Sequence, residues 1–512
     1  MSVFTAGLLS CIILGELAEA QSPPLKISRE TTFITEPIGS NGMPDYLGAV
    51  RQRMSAGATH ENNFWVLVWP AMGNAEHSFP EFIADVERQL GVTIPEQGEY
   101  RELKYSEAIS KQYGKALEGP WAREECPVVA NWIDDNEQFL ATLKRASFRS
   151  HAYAAPVTMN DQQMLIYVLL PHVQRSRDFA RLLNMRANLR MQEGDFEGAW
   201  DDLLTSYRVA GHIDKGFTLI ERLVAIAIRN MTQETVCTWL SRTPDNAAKL
   251  AARRQELVPL LEFDDMSAVV DMGERMMNLQ LALMIVDGAR QQEEINAIFD
   301  SCGLTLDAGG GSSDAEEFQL IQELQAARGP LMRYLIAGGD INVTLKHINA
   351  HFDAMSDAMK KPTHQERVLA FEKFDARTSE DAQLSQNGLQ LIGEFVFASD
   401  EDYETLPARA LLGALSPAIS NVNEAATRAM ARRATLLAAF DVAEEIKRTG
   451  EIPTSLSSEA QLDPYTDLPL HYEVQGGAVV IYSVGQNLTD NGGRTFGEGD
   501  GMDDVRATLL IP

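Results

Sequence analysis

Apolar residues recur at i, i+3 and i+4 along most of this chain, and the period drops to two only near its end. Phe82, Ile83, Val86 and Leu90 share one face of a predicted helix over 79–90. Trp132, Phe139, Leu140 and Leu143 do the same over 128–146, and the pattern continues over 162–190. A shorter helix is predicted over 45–54, and the apolar turn Phe64, Trp65, Leu67, Val68 and Trp69 is expected to end at Pro70. Glu193-Gly194-Asp195 reads as the turn of a helical hairpin, because glycine suits the left-handed closing position and Asp195 can cap the next helix. No second copy occurs at a ~34-residue period, so the turn stands as an ordinary antiparallel pair rather than a repeat array.

Further helices are predicted over 244–262, 266–298, 318–336, 343–359, 365–374 and 408–448. The second of these carries Met266, Met272, Met276, Met277 and Met284, a stripe that fills a core or lines an adaptable groove. Gly309-Gly310-Gly311-Ser312-Ser313 breaks the chain; no Lys-Ser/Thr follows it and no strand precedes it, so it is not a phosphate loop. After Gly450 the grammar changes. His471 to Val474 alternates, Gly476-Gly477 turns, and Ala478 to Val484 is rich in β-branched residues, which predicts a β-hairpin. The expected architecture is mainly α: a multi-helix body, solenoid-like in one arrangement, with a small C-terminal α+β module made of a long helix and an antiparallel hairpin. Five segments follow from it: 1–20, an irregular strap over 21–60, a helical domain over 61–302, a second helical region over 303–430, and the module over 431–512.

The first segment differs in kind. Ala6 to Gly15 is apolar and Ala18-Glu19-Ala20 is a small-x-small cleavage pattern, so 1–20 reads as a secretory signal peptide, although it lacks a basic start. No later stretch reaches the ~18 apolar residues of a membrane span. Cys126, Cys237 and Cys302, spaced widely and irregularly, form neither a metal motif nor a disulfide framework and read as buried thiols. The 512 residues allow about three domains. A formal net charge of −29 disfavours nucleic acid and anionic membrane surfaces as partners and leaves other envelope proteins as the expected class.

The chemistry concentrates at the end. Asn487, Asp490, Asn491, Glu498, Asp500, Asp503 and Asp504 crowd a glycine-rich loop. Ca²⁺ takes six to eight oxygen ligands from flexible loops, so these residues suit a calcium site; the same cluster also reads as a solvated acidic loop. The expected ligands are Asn487, Asp490, Asp500, Asp503 and Asp504. The spacing is not that of an EF-hand. A second constellation, His347 and His351 at i, i+4 on a predicted helix, has zinc geometry, with Asp353 and His364 nearby. The glutamate of HExxH is missing, since Ile348 and Asn349 follow His347. No G-x-S-x-G elbow occurs.

Two resemblances attach to these residues. The helix ending at Gly450, Ile452-Pro453-Thr454-Ser455-Leu456, Asp463-Pro464, the hairpin ending Tyr482-Ser483-Val484-Gly485 and the Gly/Asp loop together resemble the periplasmic domain of type II secretion major pseudopilins. That resemblance implies a helix on a small antiparallel sheet and a calcium-binding loop. Asn487 stands where that family has an aspartate, and Asp503 and Asp504 stand near its terminal acidic pair. The family's assembly helix is missing, so no pilus-building role carries over. Thr31-Thr32-Phe33-Ile34-Thr35-Glu36-Pro37, Asp45-Tyr46, Glu61-Asn62-Asn63 and the Arg186 to Leu203 segment resemble uncharacterised exported proteins of planctomycete bacteria, which implies export and no particular activity. The expected function is a periplasmic or secreted cell-envelope protein, structural or protein-binding, with a Ca²⁺-stabilised C-terminal loop. The alternative is an exported hydrolase with a metal or carboxylate site in the helical body.

Overall fold

A computed structural model describes residues 23–74, 79–103, 106–158, 163–286, 340–386, 419–457 and 461–511, with isolated helical positions between 405 and 412. The expected signal peptide, the Gly309–Gly311 loop, the helix over 318–336 and Cys302 lie outside the described residues. So does the end of the helix expected over 266–298.

Local chemistry sets most helix ends. The Asp45 carboxylate accepts the Gly48 N–H (2.8 Å) and starts α1, Tyr46–Ser55. Asn63 caps α2, Phe64–Met72, which contains Pro70 and closes two residues past the expected stop, at Gly73 (φ +75°), whose N–H meets the Trp69 carbonyl. Next come α3 (Pro80–Leu90) and α4 (Glu107–Glu118). The single helix expected over 128–146 is two, α5 (Pro127–Asp135) and α6 (Glu137–Ser147). Buried Asn136 divides them: its Oδ1 accepts the Arg101 N–H (2.9 Å), and its Nδ2 donates to the carbonyls of Arg101 (3.0 Å) and Trp132 (2.8 Å).

The hairpin expected at 193–195 is present between α7 (Pro171–Glu193) and α8 (Phe196–Asp214). Gly194 takes φ +84°, and Asp195 accepts the Gly198 N–H at 2.9 Å. A Thr218/Glu221 capping box opens α9, Leu219–Arg242. Then follow α10 (Ala247–Leu257) and α11 (Met276–Val286), the latter preceded by a π-helical turn over Val270–Arg275. A β-carbon on Gly273 in that turn would strike the Phe217 carbonyl, so the wide turn fits a close backbone approach. The described part ends with α12 (Ile341–Met359), α13 (His364–Gln386) and α14 (Ile419–Thr449).

Among the described residues three large apolar cores hold these elements, with a small fourth cluster of Ala431, Tyr465 and Val505. The first joins α2, α3, α5 and α6 to α7 around Phe64, Trp69, Phe139 and Phe179. The second joins α1, α11, α12 and α13 around Leu47, Leu279, Leu345 and Phe352. The N-terminal strap is pinned to this second core. Asn349 on α12 donates to the carbonyls of Glu30 (3.1 Å) and Thr31 (2.7 Å), and Tyr46 donates to Thr32 (2.9 Å).

The third core joins α8, α9, α10 and α14 to the sheet through Trp200, Trp239, Phe440, Val479, Ile481 and Leu509. The sheet has three antiparallel strands in the order β1 (His471–Gln475), β2 (Ala478–Ser483), β3 (Val505–Leu510). The sequence reading expected only the hairpin. β3 alternates buried positions with half-buried or exposed ones beside β2, from Ala478 opposite Leu510 to Ser483 opposite Val505. α14 crosses the boundary expected at 430/431, and the Leu510 N–H reaches Ser241 Oγ on α9 (2.9 Å). The C-terminal module therefore shares its apolar core with the helical body.

Candidate metal centre in the C-terminal loop

The loop over 484–504 leaves β2 and returns on β3, and Ser483 faces Val505 in the register, so its ends are fixed side by side. Its entry is held by the buried carboxylate of Asp463, which accepts from Ser483 Oγ (2.8 Å), the Val484 N–H (3.0 Å) and the Tyr465 N–H (2.9 Å). Gly485 sits at φ +69°, where a β-carbon would strike the Asp503 carbonyl.

Two consecutive carboxylates, Asp503 and Asp504, lie at the closing end. Asp504 is 1% exposed; its Oδ2 accepts the N–H groups of Asn491 (3.1 Å) and Gly493 (2.8 Å). Asp503 Oδ2 accepts the Asn487 N–H (2.9 Å). The Oδ1 atoms of both residues are buried and have no hydrogen-bond partner. Asn487 Nδ2 donates to Asn491 Oδ1 (3.1 Å) and to the Gly501 carbonyl (2.7 Å), which brings two more oxygens into the same knot. Burial pushes the Asp504 carboxyl up to about 6, and the charges of Asp490 and Asp503 add to the shift.

The five expected ligands separate. Asp503 is tied to the Asn487 N–H and Asp504 to the Asn491 and Gly493 N–H groups, while Asn487 Oδ1 turns aside to accept the Thr489 N–H (2.6 Å). Asp490 faces the sheet instead. Its Oδ1 accepts from Tyr482 Oη (3.0 Å) and the Gly492 N–H (2.9 Å), and its Oδ2 lies 3.4 Å from His471 Nδ1. Asp500 is exposed on the rim of a cavity of about 580 Å³ that Arg428, Asn487 and Asp503 also line. Glu498 is tied to Arg506 (2.8 Å). Among the described residues no group of three or more His, Cys, Asp or Glu side chains is placed to hold a metal ion. The oxygens along this part of the loop are the two carboxylates, Asn491 Oδ1 and the Gly501 carbonyl. That all-oxygen set suits a hard cation such as Ca²⁺ and not zinc.

The histidine constellation does not converge. His347 and His351 lie on α12, but Asp353 is taken by Arg275 (2.7 Å) and His364 Nδ1 lies 3.3 Å from Thr427 Oγ1. Burial pushes His351 down to about 4, with its ring 4.5 Å from that of Phe374. His212 is likewise pushed to about 4 by burial; it stacks on Phe64 (4.3 Å) while Nε2 meets the Ser147 carbonyl (3.0 Å). A histidine lowered in the folded state stabilises it above the unfolded pKa of about 6.5, and that contribution is lost as pH falls towards 4. Acid titration of the wild type is therefore expected to lower stability between about pH 6.5 and 4. Urea midpoints across that range for His212→Gln should show a loss smaller by about 2 kcal/mol; an unchanged pH slope would contradict the assignment.

Cys126 and Cys237 are buried free thiols, and burial pushes both upward in pKa. Among the described residues no helix is long and apolar enough to cross a membrane. No described protein family matches the chain, and neither a curated protein nor a solved structure matches it.

Proposed function

We propose that this chain is an exported cell-envelope protein with a structural or protein-binding role, whose 484–504 loop is ordered by one Ca²⁺ ion. The observation that carries the calcium reading is the pair of buried carboxylate oxygens, Asp503 Oδ1 and Asp504 Oδ1, that have no partner. A buried anion without a compensating charge is costly, and a divalent cation between the two would neutralise both at once. Asn491 Oδ1 and the Gly501 carbonyl, both now accepting from Asn487 Nδ2, would supply further oxygens once that amide turns away, and water would complete the shell. The resemblance of residues 431–512 to the pseudopilin periplasmic domain supports the same ion. The leader-like first twenty residues support export, and the acidic surface supports protein partners over nucleic acid.

The ion's physical role would be to fix the loop against β2 and α14. Because it binds the folded state, it adds to stability by mass action, about 2.7 kcal/mol at a hundredfold excess over Kd. Thermal melts in CaCl₂, in MgCl₂ and in chelator test this. The midpoint should rise with CaCl₂, rise less with MgCl₂, and fall back with chelator; identical midpoints in all three would reject the calcium loop.

A further inference from the structure

We propose that the cavity between α1 and α3 is a binding site for a small organic acid, whose carboxylate is held by Arg51 and Arg88 while its apolar body rests on Phe79, Phe82 and Val157. The site shares no residue with the 484–504 loop and does not depend on the calcium reading.

The cavity measures about 830 Å³, within the range of small-molecule pockets. One wall is α3 with the residue before it, Phe79; another is Val157 and Thr158, which pair with Leu169 and Val168 through the backbone. Arg51 reaches the cavity from α1. Its half-buried guanidinium is fixed at two points: Nε donates to the Pro156 carbonyl (3.0 Å) and Nη2 to Asp85 Oδ2 (3.1 Å). Arg88 Nη2 pairs with the other oxygen, Asp85 Oδ1. Gln89 Nε2 holds Asp85 in place (3.0 Å) and also donates to the Pro156 carbonyl (3.3 Å). The remaining donors, Nη1 of Arg51 and Nε and Nη1 of Arg88, meet no acceptor among the described residues.

Two guanidinium groups share one carboxylate, so this end of the cavity carries one positive charge in excess and planar donors left over, the chemistry that recognises a carboxylate. Glu81 lines the same cavity, one helical turn before Asp85 and two before Arg88. Its charge opposes an anion at the far end and directs the head group towards the arginines. Two carboxylates on one wall also disfavour a doubly charged head such as a phosphate monoester. Phe79 is 51% exposed, and with Phe82 and Val157 it offers apolar surface that an aryl or alkyl body would cover.

Calorimetry on the full chain tests this with two probes of one skeleton, phenylacetate and the uncharged phenylethanol. Phenylacetate should bind at one site per chain, and phenylethanol roughly tenfold more weakly. Arg88→Met should weaken phenylacetate by about tenfold and leave phenylethanol within about twofold, because only the charged head meets the guanidinium. The Arg88 side chain is 73% exposed, so the variant should fold, and its melting midpoint without ligand checks this. Glu81→Gln, which removes the opposing charge, should tighten phenylacetate by about threefold and gives a reading that does not rely on losing a residue's bonds. No heat with phenylacetate, equal affinity for the two probes, or phenylacetate binding unchanged in both variants would each overturn the site.

Discussion

Asp214→Ala is expected to destabilise the protein by about 3–5 kcal/mol, the cost of leaving buried charges unpaired. The Asp214 carboxylate, 3% exposed, accepts from Arg222 (2.7 Å) on one oxygen and from Arg229 (2.9 Å) on the other. Both arginines are themselves buried. Truncation removes the one carboxylate that both guanidinium groups share. Arg229 keeps the Glu262 carbonyl (3.1 Å) and the Phe263 ring, and Arg222 Nη1 loses the carboxylate oxygen it donates to. Because α8 and α9 join the first and third cores, the loss should appear as a lower midpoint of the whole helical transition in urea. A change under about 1 kcal/mol would show that water reaches this pair and that the helices do not depend on it.

Asp504→Asn is expected to abolish the response to Ca²⁺ without weakening the ion-free fold. Asparagine keeps an oxygen for the Asn491 and Gly493 N–H groups, so the loop hydrogen bonds survive. What disappears is a buried negative charge that the environment disfavours. In chelator the variant should therefore melt at or above the wild-type temperature, and in CaCl₂ its midpoint should stay there. A variant that melts lower in chelator would assign Asp504 a structural role that needs its charge. One that still responds to Ca²⁺ would place the ion elsewhere.

The helical body was legible in the sequence wherever one face is apolar and an end carries its own cap, as at Asp195. The pattern failed where a distant residue decides. Asn136 lies inside a continuous helical period, yet its amide is claimed by the backbone of Arg101, thirty-five positions away, and the helix breaks. The π turn before α11 depends on the Phe217 carbonyl, which no local pattern encodes. β3 was legible in principle, since Val505, Ala507 and Leu509 alternate with Arg506, Thr508 and Leu510.

The buried ion pairs of Arg186 with Asp202 (2.6 Å) and of Arg222 and Arg229 with Asp214 were not legible. A carboxylate on an acidic chain reads as solvated until a partner helix is placed against it. In the loop, composition found the right oxygen chemistry but not its geometry. Asp490 is drawn to Tyr482 and His471 across the sheet, and only the folded register of β1 and β2 brings those two rings together, 5.0 Å apart.

Equilibrium dialysis against radioactive calcium measures the central claim without relying on stability. The account predicts one ion retained per wild-type chain, with retention unaffected by Asp490→Asn or Asp500→Asn and lost in the Asp503→Asn, Asp504→Asn double variant. Wild-type retention no higher than that of the double variant would contradict it.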